Sequence, residues 1–155
     1  MPHRTPPLHA VPPMFRGLSE EECVELLARS HVGRIAYLDA GQVGIAPIHY
    51  VYDSGWIIGR TAVGAKLTAL RHHPWVAFEV DEVRGPFDWR SVVVRGAFYL
   101  LDRDGHAGAR ARWEHAAALL RGLVPGALTA ADPAPTRDVL FRIHVGEMTG
   151  RLAAP

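Results

Sequence analysis

A single cysteine, Cys23, stands in the 155 residues. It rules out a disulfide within the chain and points to a reducing compartment such as the cytoplasm. No apolar run approaches the ~20 residues that cross a bilayer, so no membrane partner is expected. Charge of either sign is scarce in the balance: a formal net charge of +1 leaves no electrostatic case for nucleic acid or an anionic lipid surface. Lysine is almost missing, since Lys66 is the one lysine among 17 lysine and arginine residues. The opening fifteen residues, MPHRTPPLHAVPPMF, carry no signal-peptide apolar stretch. Their five prolines favour an extended arm over a helix, either a tail or an arm that crosses a partner subunit. Residues 16–155 then read as one globular domain, 48% of the chain being apolar and 21% charged, long enough to bury a core.

From Leu18 the signals become regular. Ser19 with Glu22 three residues on is a capping box. Three glutamates in the first turn suit the helix dipole, and Cys23, Leu26 and Leu27 make one apolar face, so Cys23 reads as a small core residue. HVGRIAYLD is a strand, Ala40-Gly41 a turn, QVGIAPIHYVYD a strand, Ser54-Gly55 a turn and WIIGRT a strand. GAKLTALRHH has helical spacing and stops before Pro74. WVAFEVDEV and WRSVVVRGAFYLLD are strands separated by GPFD. AGARARWEHAAALLRGL is a helix, DPAP a linker, and VLFRIHVGEMTGR a closing strand. About six strands, mostly paired with their sequence neighbours, and three helices predict an α+β protein built on an antiparallel barrel.

The place of the lone lysine, in GRTAVGAKL, raises the functional question. A helix start offers unpaired backbone N–H groups and the positive end of the dipole. Thr61 adds a hydroxyl, Gly64 allows close approach of an oxyanion, and Lys66 adds a mobile point charge suited to phosphate. The spacing is not that of a P-loop, and a plain helix start with a solvated lysine reads as well from this stretch alone. On the preceding strand Pro47 forfeits a ladder hydrogen bond, which implies an edge or a bulge and leaves neighbouring backbone groups free for a planar ligand. Ile48, His49 and Tyr50 follow, with His49 read either as a ligand-facing group or as a half-buried barrel histidine. In DWRSVVVRG, Arg90 and Ser91 are donors for a carbonyl-rich ring edge and Trp89 an aromatic wall; ordinary strand residues with Arg90 in solvent are the alternative. His72 and His73 are adjacent and point apart on a helix, a poor metal pair. No G-x-S-x-G elbow marks a serine hydrolase.

Together HVGRIAYLD, APIHYVYD, GRTAVGAKL, WVAFEVDE and WRSVVVRG resemble the pyridoxamine-5′-phosphate-oxidase-like group, the FMN-binding split barrels, in particular its nitroimidazole-resistance-type branch. The resemblance runs from Leu18 to Arg103 and more loosely to Arg151. It implies a six-stranded split barrel, a homodimer, and an FMN in each cleft between subunits. Carried over by position, Lys66 and Thr61 would hold the FMN phosphate, with Ala62 and Gly64 as backbone contacts. Pro47, Ile48, His49 and Tyr50 would line the isoalloxazine, largely through backbone, with His49 the candidate catalytic group. Trp89, Arg90 and Ser91 would reach the ring or the ribityl chain. The implied activity is a flavin-dependent oxidoreduction of a small molecule. A non-catalytic flavin-binding or sensor protein, a deazaflavin-dependent reductase and a haem-binding barrel are the alternatives. Two departures stand out. Arg60 replaces the histidine common before the Ser/Thr of the phosphate turn, and would either strengthen phosphate binding or face solvent. The oxidase's substrate-binding Arg-x-His is missing from the terminal GRLAAP. Arg142 and His144 occur instead within a strand, where alternation could bury either, so oxidation of pyridoxamine phosphate itself is not expected.

Overall fold

The computed structural model describes residues 11–155; most of the proline-rich arm, residues 1–10, lies outside the described residues. The elements run β1 (Met14–Gly17), α1 (Glu20–Arg29), β2 (Val32–Asp39), β3 (Gln42–Asp53), β4 (Trp56–Thr61), α2 (Ala65–His72), β5 (Trp75–Gly85), β6 (Asp88–Leu100), α3 (Ala107–Leu123), β7 (Val139–His144) and β8 (Glu147–Ala154). The sheet order is β1-β8-β6-β5-β2-β3-β4-β7, and a further β6–β7 pairing closes it on itself. Six strands therefore form the ring, while β8 and β1 extend the sheet off β6. All pairings are antiparallel.

The local chemistry explains the path. The turns between β2 and β3 and between β3 and β4 hold Ala40-Gly41 and Ser54-Gly55, all four with positive φ, the backbone that a two-residue hairpin demands and glycine tolerates best. The stretch expected as one closing strand breaks at Val145-Gly146 into β7 and β8. The cause is a bulge against β6. Strand β6 pairs with β8 up to Arg95 and with β7 from Phe98. Between them Gly96 passes so close to the chain that a Cβ there would run into the His144 carbonyl oxygen. The register along β6 shifts by one residue there, from Arg95 opposite Glu147 to Phe98 opposite Ile143, so His144–Gly146 form a bulge in an otherwise continuous antiparallel partner.

One core fills the barrel. Tyr50 and Phe78 meet edge to face at 4.9 Å, Phe98 and Phe141 lie 5.0 Å apart, and α1 contributes Cys23, Leu26 and Leu27. The capping box of α1 is present as expected, Ser19 Oγ accepting from the Glu22 N–H. Glu22 also takes a bidentate pair from Arg16 of β1 at 2.9 and 3.0 Å. These bonds, that from Arg16 first and that from the Ser19 backbone next, hold its carboxyl down to about 2. Cys23 is buried, and desolvation with nearby glutamates pushes its thiol up, as suits a core residue. A second cluster joins Trp113, Ala116, Ala117 and Leu120 of α3 to Ile58 and Leu140 on the outside of β4 and β7. Strand β4 is covered on both faces, which is why Ile57 and Ile58 are both buried.

Candidate functional site

Strand β3 changes partner halfway. Residues 42–49 pair with β2, whereas β4 joins only from Tyr50. Two thirds of the second edge of β3, residues 42–49, therefore has no strand beside it. The Tyr50 N–H donates to His31 O at 2.9 Å, so by alternation Ile48 and Ala46 turn their backbone groups to β2, and Ile45 and Pro47 turn theirs to the open edge. Pro47 sits where its missing N–H costs no ladder bond, the edge position its sequence demanded. Pro47 and His49 are exposed, while Ile48 and Tyr50 are buried. The Tyr50 side chain belongs wholly to the core: its hydroxyl donates to Leu27 O at 2.7 Å, and burial raises its pKa. Only its backbone belongs to the edge.

The next strand delivers the phosphate-type turn. Thr61 ends β4 with 5% exposure, and its hydroxyl has only a long contact, 3.5 Å, to Ala62 O. Residues 62–64 lead into α2, whose N-cap, Gly64, supplies no side-chain hydrogen bond. The first-turn N–H groups of α2 thus carry no side-chain cap, and the space above Gly64 is open. Lys66 is half-buried; burial, then the charge of Arg137, pushes its ammonium below the ordinary lysine range. Among the described residues no ion pair includes Lys66. An uncapped helix start with an unneutralised cation is chemically complementary to a phosphate.

Arg60 neither faces solvent nor points a free charge at that turn. Its guanidinium grips Asp132 in two bonds, 2.6 and 3.1 Å, with side-chain exposures of 9% and 3%. Asp132 further accepts from the N–H groups of Leu128 and Ala134, and these bonds, the Arg60 pair first, keep its carboxyl well below the usual range. The stretch read from sequence as a linker is therefore a structured loop tied to β4. It closes a cleft of about 160 Å³ whose walls include His49, Arg60, Leu120, Leu123, Pro133 and Arg137. Asp132 and Arg137 were not singled out by sequence. The one available signal was Arg60 beside the buried run of Ile57 and Ile58, since a buried guanidinium needs a carboxylate, but nothing local says which.

Pro47–Tyr50, Thr61, Ala62, Gly64 and Lys66 thus occupy adjoining elements around the end of β4. Trp89, Arg90 and Ser91 do not join them within one chain. They lie on β6, separated from β3 by β5 and β2, roughly 14 Å at the usual strand spacing. Trp89 donates its indole N–H to Pro86 O at 3.2 Å and leans on Phe15 of β1. Arg90 stands opposite Glu82, and Ser91 opposite Asp81 on one side and Arg151 on the other. Arg142 and His144 both face outward at the far end of β4. The Arg142 guanidinium lies 3.7 Å over the Trp56 ring, and His144 meets the same ring at 5.1 Å.

A closed antiparallel ring of six strands with an anion-complementary turn at one end defines a split-barrel protein. The profile of the pyridoxamine 5′-phosphate oxidase family matches residues 19–152, and the chain belongs to that family. It is 29% identical to the uncharacterized protein RA0666 of Rhizobium meliloti (strain 1021), over 89% of this chain and 95% of that one. A FAD-binding protein of Mesorhizobium loti superposes with a TM-score of 0.73 at 33% identity, covering 92% of this chain and 99% of that chain. A protein of Bacteroides thetaiotaomicron assigned to 5-nitroimidazole antibiotic resistance shares the fold, with a TM-score of 0.68 at 14% identity over 94% and 95% of the two chains. Among the described residues no helix is long and apolar enough to cross a membrane.

Proposed function

We propose that the chain binds FMN and acts as a flavin-dependent oxidoreductase on a small molecule, as a cytoplasmic homodimer with each flavin between two subunits. The observation that carries this is the start of α2: no side-chain cap, open space at Gly64, and, among the described residues, no carboxylate paired with Lys66. Thr61 and the first-turn N–H groups would bind phosphate with it. The open edge of β3 offers free main-chain donors and acceptors to the polar rim of a flavin ring. The FAD-binding protein of similar fold supports a flavin as the class of ligand. A bound flavin supplies the redox chemistry. The chain's own residues would bind the phosphate, orient the ring, and offer the exposed His49 imidazole on β3 as a proton donor or acceptor.

The dimer rests on the outer face of the barrel. Val43 is 76% exposed, Ile45 71% and Trp75 75%, with Leu38 opposite Val43 across the β2–β3 register. Such a patch on one sheet face favours a partner surface. Alternation places Ser91, Pro47 and His49 on this same outward face, so a second copy packed there would bring Ser91 of one protomer toward the β3 edge of its partner. The test is titration of the purified protein with FMN, followed by flavin fluorescence. Saturable quenching at one FMN per chain supports the proposal; absence of binding refutes it. Absorbance separates the alternatives: oxidised flavin shows two visible bands, a deazaflavin one, and haem a Soret band.

A further inference from the structure

We propose that Arg137 is the second cation of the phosphate site, and that the buried Arg60–Asp132 pair is the positioning device that holds it there. This rests on the flavin reading above and adds to it a residue from a loop that the sequence motif does not contain.

Three independent pieces of geometry converge on Arg137. Strands β4 and β7 pair antiparallel, with Thr61 opposite Val139. Continuing that register past the strand ends sets Arg137 opposite residues 62–64, the turn that opens α2. Next, the Arg137 backbone is anchored at this place. Its carbonyl accepts from Arg60 Nη1 at 3.4 Å, and its N–H donates to Ala134 O at 3.0 Å. The Ala134 N–H in turn donates to Asp132 Oδ1 at 2.9 Å. Third, Arg137 lines the same cleft as His49 and Arg60. Among the described residues no carboxylate pairs with Arg137, and Asp132 is committed to Arg60.

The electrostatics agree. Lys66 feels the Arg137 charge as a repulsion, and among the described residues neither belongs to an ion pair. Two cations held together without an anion are unfavourable in the empty protein and favourable once a dianionic phosphate lies between them. Arg60 supplies no charge to that phosphate because Asp132 cancels it. Its contribution is the loop's position.

The test is FMN and riboflavin titration of wild type, Arg137→Ala, Arg137→Lys and Lys66→Ala, with inorganic phosphate as a second probe read by thermal shift. Arg137→Ala is expected to weaken FMN about tenfold or more and leave riboflavin unchanged, with partial recovery in Arg137→Lys. The phosphate-induced rise in Tm should vanish in Arg137→Ala and in Lys66→Ala. Arg137→Ala on top of Asp132→Asn should cost FMN affinity little further, because the two act through one device. If Lys66→Ala loses FMN while Arg137→Ala binds as wild type does, this inference is overturned and the flavin reading stands. If wild type ignores FMN but responds to phosphate through both residues, the flavin reading fails and the two-cation site stands. A protein that binds neither probe overturns both.

Discussion

Replacing Lys66 by alanine separates an anion site from an ordinary helix start. The lysine is half-buried, carries no ion pair among the described residues, and is repelled by Arg137. Its folded pKa lies below its unfolded value, so the unfolded chain binds the proton more readily. Stability of the ligand-free protein should therefore rise as pH climbs through the folded pKa toward the unfolded value, about 10.4. Lys66→Ala should lack that rise and should not destabilise the fold at neutral pH. Ligand binding should behave oppositely. A charge-assisted hydrogen bond contributes about 1.5–3 kcal/mol. Partial solvent screening at a half-buried group places the loss near the lower end, about tenfold in FMN affinity. Riboflavin lacks the phosphate and should bind both proteins equally. Thr61→Ala, removing a neutral hydroxyl, should cost about 0.5–1.5 kcal/mol. Fluorescence titration of both ligands against the three proteins, with thermal melts from neutral to alkaline pH, gives every quantity needed. Equal losses for FMN and riboflavin in Lys66→Ala, or a clear drop in its ligand-free Tm, would refute the assignment of Lys66 to phosphate.

Other expectations follow from the loop and the outer face. Asp132→Asn leaves the Arg60 guanidinium buried and uncompensated, so it should lower Tm markedly at neutral pH. Because the Asp132 carboxyl is held far below its ordinary value, its contribution is complete above about pH 4 and is lost as pH falls below that. The Tm gap between wild type and Asp132→Asn should accordingly narrow in acid, and a gap that stays constant down to about pH 2.5 would contradict the pair's role. If the exposed apolar face joins two copies as proposed, Ile45→Glu, which puts a charge into it, should give a folded monomer by light scattering at micromolar concentration, with weaker FMN binding. A wild type that is already monomeric with FMN bound would contradict the interface.

Much of this architecture was legible because its determinants are local. Ser19 and Glu22 announce a helix start, and Ala40-Gly41 and Ser54-Gly55 announce hairpins. Pro47 announces an edge, since proline cannot serve a ladder on both sides. What was not legible depends on partners distant in the chain. Met14–Gly17 follows a run of prolines and becomes strand only because β8 lies beside it. The break between β7 and β8 is a one-residue shift of register against β6, where Gly96 makes room for the His144 carbonyl, and FRIHVGEM shows no local punctuation strong enough to predict it. Arg60 looked like either a phosphate ligand or a surface residue. Its buried partner Asp132 lies 72 positions later in a stretch whose prolines read as a linker. The same distance concealed Arg137. Trp89–Ser91 were grouped with the β3 edge by resemblance, but a single barrel keeps two strands between them, and only a second subunit could bring them together.

If the uncapped start of α2 and the open edge of β3 hold FMN, the most direct measurement is the identity of the cofactor in the native protein. The purified protein should be denatured, the released small molecules analysed by absorbance and mass, and the stripped protein titrated with FMN after refolding. The expected result is released FMN, or rebinding of FMN at one per chain, with an oxidised spectrum of two visible bands. A single-band deazaflavin, a Soret-absorbing haem, or the absence of any flavin together with no FMN binding by undenatured protein would contradict it.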